Sequence, residues 1–69
     1  MTAYDYDAAM VRNAARRAPV TVTDTTTGRT LAGWLVAWRP HGRYRARVRQ
    51  ANGNAATYPL NRYDVEVAA

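Results

Sequence analysis

The stretch "RYRARVRQANGNAATY", residues 43–58, decides the fold. Arg43, Arg45, Arg47 and Arg49 alternate with Tyr44, Ala46, Val48 and Gln50. Alternate residues of a strand point to one face, about 6.6–6.8 Å apart along it. The period of two therefore predicts a strand with an arginine face and an apolar face. "NGN", residues 52–54, follows at once and is a strong hairpin signal. "ATYPL", residues 56–60, then reads as a short strand that ends or lies at an edge at Pro59, since proline cannot donate to a ladder.

Working outward, the same punctuation continues on both sides. Upstream, "PHGR" carries Pro40 and Gly42 and reads as a tight turn. Before it, "TLAGWLVAWR", residues 30–39, is a long apolar strand in which Gly33 marks a bulge or bend. "TTGR" is a turn, and "VTVTDT", residues 20–25, is an alternating β-branched strand. Downstream, "NRY" reads as one helical turn and "DVEV" as a last alternating strand. Only residues 2–17 read as a helix. Thr2 suits the N-cap, with Asp5 three residues on. Asp5 and Asp7 lie in the first turn and Arg16 and Arg17 in the last, as the helix dipole favours. Tyr4, Ala8, Val11 and Ala15 make its apolar stripe, and Pro19 stops it. This thin stripe predicts a helix that docks on the β unit or on a partner.

One helix, five short strands, tight turns and a single turn before the last strand resemble the SH3-like small barrel. The expected fold is thus mostly β: a five-stranded SH3-like barrel over about residues 20–67, preceded by one N-terminal α-helix, all in a single domain. The resemblance rests on strand order and turn placement, so it implies a fold and not a function.

At 69 residues the chain buries a small core. Small domains usually gain a disulfide, a metal or a second copy. There is no cysteine, which leaves self-association as the expected support and points to a cytoplasmic setting. The net charge is +5, and all ten basic residues are arginine. Guanidinium forks pair with phosphate or carboxylate at two points, so the balance favours an anionic partner. Arginine without lysine, beside many alanines, is also what GC-rich codons produce. That reading places the source in a high-GC bacterium or one of its phages or plasmids. The longest apolar run, residues 31–38, is far short of the ~20 residues of a membrane-spanning helix, and no membrane role is expected.

Position then has to decide what composition leaves open. The arginine row reads either as a solvated strand face that resists edge-to-edge aggregation or as a strip for a repeating anion. A nucleic-acid backbone is such an anion, and counterion release supplies its affinity. The candidate contacts are Arg43, Arg45, Arg47 and Arg49, with Arg39 assisting and Tyr44 or Trp38 stacking. Asp64 and Glu66 are the candidates to neutralise part of the row. Trp34, Val36 and Trp38 fall on one face of the long strand, and Leu31, Gly33, Leu35 and Ala37 on the other. The indoles read as core or interface packing, or as a platform for bases. Of the two, Trp38, beside Arg39 at the strand end, is the better candidate for exposure.

Catalysis finds little to use. The chain has no Ser, Cys or Lys, which removes their nucleophiles, Schiff bases and the P-loop. His41 is the only histidine and reads as a plain turn residue; a metal site or a histidine triad needs partners absent nearby. No enzyme activity, cofactor or metal is expected.

"AGWLVAW", "YRARV" and "ATYPLNRYDVEV" together resemble the plasmid-borne type II dihydrofolate reductases, homotetramers of SH3-like barrels around one pore. That family's Gly-Gln-Ile-Val-Gly-Trp strand aligns with Gly33, Trp34, Leu35, Val36, Ala37 and Trp38. Its Val-Gln-Ile-Tyr pore motif and following proline align with Ala55, Ala56, Thr57, Tyr58 and Pro59. The pore glutamine falls on Ala56 and the substrate-binding lysine near Thr26, so the resemblance implies the barrel and self-association while the reductase stays a remote alternative. The leading expectation is a small basic nucleic-acid-binding barrel, DNA or RNA, serving as an accessory or regulatory factor. The alternative is a protein-interaction module, such as a phage factor docking on an acidic host protein.

Overall fold

The computed structural model describes residues 3–39 and 45–68. Four sequence expectations lie outside the described residues: the N-cap at Thr2, the turn with His41, and the strand positions of Arg43 and Tyr44. Among the described residues the chain is mostly β. One helix, α1 (Ala3–Ala15), precedes five strands: β1 (Pro19–Asp24), β2 (Thr30–Arg39), β3 (Arg45–Gln50), β4 (Ala55–Pro59) and β5 (Tyr63–Val67). They form one antiparallel sheet in the order β4-β3-β2-β1-β5. The first four strands meander, and β5 returns to the far side of β1. Residues 60–62 make the turn before it, with the Arg62 amide donating to the Pro59 carbonyl at 3.2 Å. Tyr63, expected in that turn, opens β5 instead.

Every strand contributes to one core. Val20, Val22, Leu35, Val48 and Ala46 are fully or almost fully buried, with Trp38, Tyr58 and Val65 beside them. Among the described residues no second sheet covers this face, and the single sheet curls over its own inner side chains. Its two edges approach at Tyr58 of β4 and Tyr63 of β5, whose rings meet edge to face at 5.0 Å. Among the described residues no backbone ladder joins β4 to β5.

Local chemistry explains the hairpin that the quoted stretch announces. Gly53 has φ +88, a conformation that costs glycine nothing. Its amide donates to the Gln50 carbonyl at 3.0 Å, and the Gln50 amide donates to the Asn54 carbonyl at 2.8 Å. This is a three-residue hairpin loop with glycine in the left-handed position. The Asn52 carboxamide oxygen accepts from the Asn54 amide at 2.9 Å and stiffens the turn.

The irregularity expected at Gly33 sits elsewhere. Gly33 pairs regularly, opposite Val20 on one side and Gln50 on the other. It is glycine because β3 passes close: a Cβ there would lie 2.6 Å from the Arg49 carbonyl oxygen and 2.7 Å from Val48 Cγ1. The ladder instead slips between Leu35, opposite Val48, and Ala37, opposite Arg47. Val36 is the extra residue of a β-bulge.

The helix explains what the bulge is held by. Its buried face carries Met10 and Ala14, whereas Val11 is 46% exposed and Ala15 is exposed. The expected stripe of Ala8, Val11 and Ala15 is therefore rotated. The reason is Asp7, a polar residue turned inward because its Oδ1 accepts the Trp38 Nε1–H at 3.0 Å. Tyr6 meets the same indole edge to face at 5.9 Å. The helix ends at Ala15, two residues before the expected stop. Arg17 follows in the left-handed region, φ 54, while the Ala18 amide reaches back to the Asn13 carbonyl at 2.9 Å. That is a Schellman-type ending with arginine where glycine is usual. The Arg17 guanidinium supplies the reason, donating to the Ala14 carbonyl at 2.7 Å and to the bulge carbonyl of Val36 at 3.3 Å.

Candidate nucleic-acid interface

Strand β3 has the two faces its period predicts. Ala46 and Val48 are fully buried, while Arg47 and Arg49 are exposed and Arg45 is half-buried. The sheet register then shows what lies beside each arginine on the outer face. Arg45 is flanked by Arg39 of β2 and Pro59 of β4. Arg47 is flanked by Ala37 and Thr57, and Arg49 by Trp34 and Ala55.

Arg39, Arg45 and Arg47, with Ala37 and Thr57, line one concavity of about 110 Å³. Arg39 and Arg45 stand directly opposite each other, an arrangement that is destabilising for like charges. The guanidinium groups of these three residues take no acceptor among the described residues. Small neighbours, Ala37 and Thr57, leave room between them, and the Thr57 hydroxyl is a further donor. The product is a cluster of guanidinium donors around one concavity. Arg49 differs: its Nη1 donates to the Gly53 carbonyl at 2.7 Å, which holds the side chain against the hairpin turn.

The carboxylates expected to temper the row do not reach it. Asp64 and Glu66 sit on β5, and β2 and β1 stand between β5 and β3. That is three strand spacings along the sheet, roughly 14 Å. They rim a different concavity, about 260 Å³, between the helix and β5, with Tyr6, Trp38 and Tyr63. Burial there raises the Tyr6 phenol above its ordinary pKa, and the negative charges of Asp7, Glu66 and Asp64 push it the same way. An ion pair among the described residues joins Arg62 to Asp24 at 3.2 Å, away from the row. The sequence explains the segregation: no Asp or Glu occurs between Asp24 and Asp64. Strands β2, β3 and β4 thus form an acid-free, arginine-bearing half of the sheet.

The two tryptophans exchange the places expected of them. Trp38 is 6% exposed, inside the core, and Trp34 is 44% exposed, on the arginine face. Flat alternation would put both on one face; the extra residue at Val36 turns Trp38 inward onto the side of Leu35. Trp38 is therefore removed from the candidate contacts. The sequence offers Trp34 with Trp38 as packing or as a base platform and favours Trp38 for exposure. The signal that finds it is register, because it lies opposite Arg49 on β3 and Pro19 on β1. Of the candidate contacts, the structure brings together Arg39, Arg45, Arg47 and Arg49; Arg43 and Tyr44 lie outside the described residues.

Among the described residues no helix is long and apolar enough to cross a membrane. Compared with known proteins, the chain matches no family model, no curated protein and no solved structure.

Proposed function

We propose that the outer face of β2, β3 and β4 binds a nucleic-acid backbone. The observation that carries the reading is the concavity where Arg39, Arg45 and Arg47 converge without an acidic neighbour. A phosphate set there would accept paired donors from neighbouring guanidinium forks and relieve the repulsion between Arg39 and Arg45. Arg49, a strand repeat further along, extends the strip toward a second phosphate. Contacts of this kind position a polymer without reading its sequence. Catalysis and cofactors have no part in the reading. Its fold counterpart is the SH3-like barrel, supported by the β1–β4 meander, the return of β5 beside β1 and the bent second strand. A fold likeness of that kind carries no function by itself.

The test is a titration of labelled single-stranded DNA, duplex DNA and RNA, followed by fluorescence anisotropy at two salt concentrations. Log affinity should fall with log salt by about 0.9 per neutralised phosphate on duplex and about 0.7 on single strands. Replacing Arg45 and Arg47 together by alanine removes the phosphate site they share and should reduce that slope by roughly 0.7 to 0.9. Absence of binding at low salt, or binding that the double variant leaves unchanged, overturns the proposal. The alternative of an acidic protein partner would then claim the same arginines.

A further inference from the structure

The geometry points to Trp34 as a stacking platform for an unpaired base, which makes single-stranded nucleic acid the class of polymer that this face takes. The inference rests on the backbone-binding reading and adds to it the form of the strand.

Three observations carry it. First, Trp34 is 44% exposed although the core has space needs that the other tryptophan meets, at 6% exposure. A small domain without phenylalanine leaves an indole outside its core only at the cost of a large apolar surface in water. Second, its surroundings on the outer face leave the ring accessible. Pro19 and Arg49 are its cross-strand partners, and Ala32, two residues before it on the same face, is small and exposed. Third, the indole lies beside the positive strip. Arg49 stands opposite it, already fixed by the Gly53 carbonyl, and the Arg39–Arg45–Arg47 concavity begins at Arg47, one strand repeat along β3 from Arg49.

An aromatic surface beside a groove of backbone-neutralising charges is the arrangement by which single strands are gripped without regard to sequence, because every base has a π-face. A duplex offers the arginines its phosphates but keeps its bases stacked on one another, so it gives Trp34 nothing to cover. A second copy of this chain is a poorer occupant. Two copies meeting symmetrically through Trp34 would bring Arg47 and Arg49 of one against the arginine strip of the other, and like charges in contact oppose that pairing. A polyanion with flat, exposed rings satisfies both halves of the face together.

The experiment compares oligo-dT with a blunt duplex of equal length, using the wild type, Trp34→Ala and Trp34→Phe. Trp34 and Trp38 are the only two tryptophans, so intrinsic emission reads both places. Oligo-dT should quench the exposed indole of the wild type, and duplex should not. Trp34→Ala should weaken oligo-dT binding by about 5- to 150-fold and change duplex binding less than twofold. Trp34→Phe should recover part of the loss. Trp34 is a surface residue, and the blue-shifted emission of buried Trp38 confirms that each variant is folded. Salt-dependent binding that Trp34→Ala leaves intact on both polymers overturns this inference while the backbone-binding reading stands. No binding of either polymer by the wild type overturns both.

Discussion

Gly33→Ala puts the closest approach in the sheet to the test. The added Cβ would stand 2.6 Å from the Arg49 carbonyl oxygen and 2.7 Å from Val48 Cγ1, where ordinary contact begins near 3.4 Å. Arg49 offers backbone and Val48 a fully buried side chain, so neither can swing aside. To relieve the clash β2 and β3 must part by several tenths of an ångström, which loosens the contacts among Leu35, Val48 and Ala46 as well. Overpacking of this kind costs about 1–3 kcal/mol. Alanine offsets about 0.4–1 kcal/mol of that by stiffening the unfolded chain. A net loss of about 1–2 kcal/mol lowers the melting temperature of a domain this size by roughly 5–15 °C. Circular dichroism melts and urea titrations followed by Trp38 emission would read it, with a lowered midpoint and an unchanged slope. Val48→Ala removes one of the two clashing atoms. The double variant should therefore fall less than the sum of the singles, by about 0.5 kcal/mol or more. A Gly33→Ala protein as stable as the wild type, or strict additivity with Val48→Ala, would refute the close approach.

Two further outcomes follow from the caps. Arg17→Gly removes the left-handed strain at φ 54 but also the donors to Ala14 and Val36, whereas Arg17→Ala removes the donors and keeps the strain. Thermal melts should rank wild type above glycine and glycine above alanine, the last gap being about 1 kcal/mol; an alanine variant more stable than glycine would contradict the cap. Asp24 has its pKa lowered, first by the Thr26 amide and then by Arg62, so its stabilisation is complete above the unfolded carboxyl value near 4 and is lost as pH falls through the depressed folded value. The melting temperature of Asp24→Asn should accordingly fall less than that of the wild type between about pH 4 and pH 2, and parallel curves would exclude the linkage.

Residues whose neighbours are local were legible from the sequence alone. The bounds of β2 at Thr30 and Arg39 follow from the turn at Gly28 and the apolar run between, and the alternation of β3 holds at every described position. What misled lies in contacts far apart in sequence. Asp7 reads as a first-turn acid favoured by the helix dipole, and only Trp38, packed against it from β2, turns it inward. Asp64 and Glu66 read as neighbours of the arginines until β5 is seen to pair with β1. The exposure of Trp34 rather than Trp38 depends on a bulge with no compositional mark. Val36 is β-branched and apolar like any strand residue, and its carbonyl is held by Arg17 from the end of the helix.

That bulge also sets where the chain can change length. Side-chain direction in a strand has a parity of two, so losing one residue normally turns everything beyond it inside out. Val36 is the surplus member of β2, with no partner of its own on β3. A chain lacking it would keep Trp34 outward and Leu35 and Trp38 inward, and would pair with β3 without a slip. What it would surrender is the bend and the carbonyl that ties the sheet to Arg17. Position 36 is thus the one place in this central strand where a single-residue deletion leaves the inside and outside of the molecule as they were, and where related chains of unequal length can share one core.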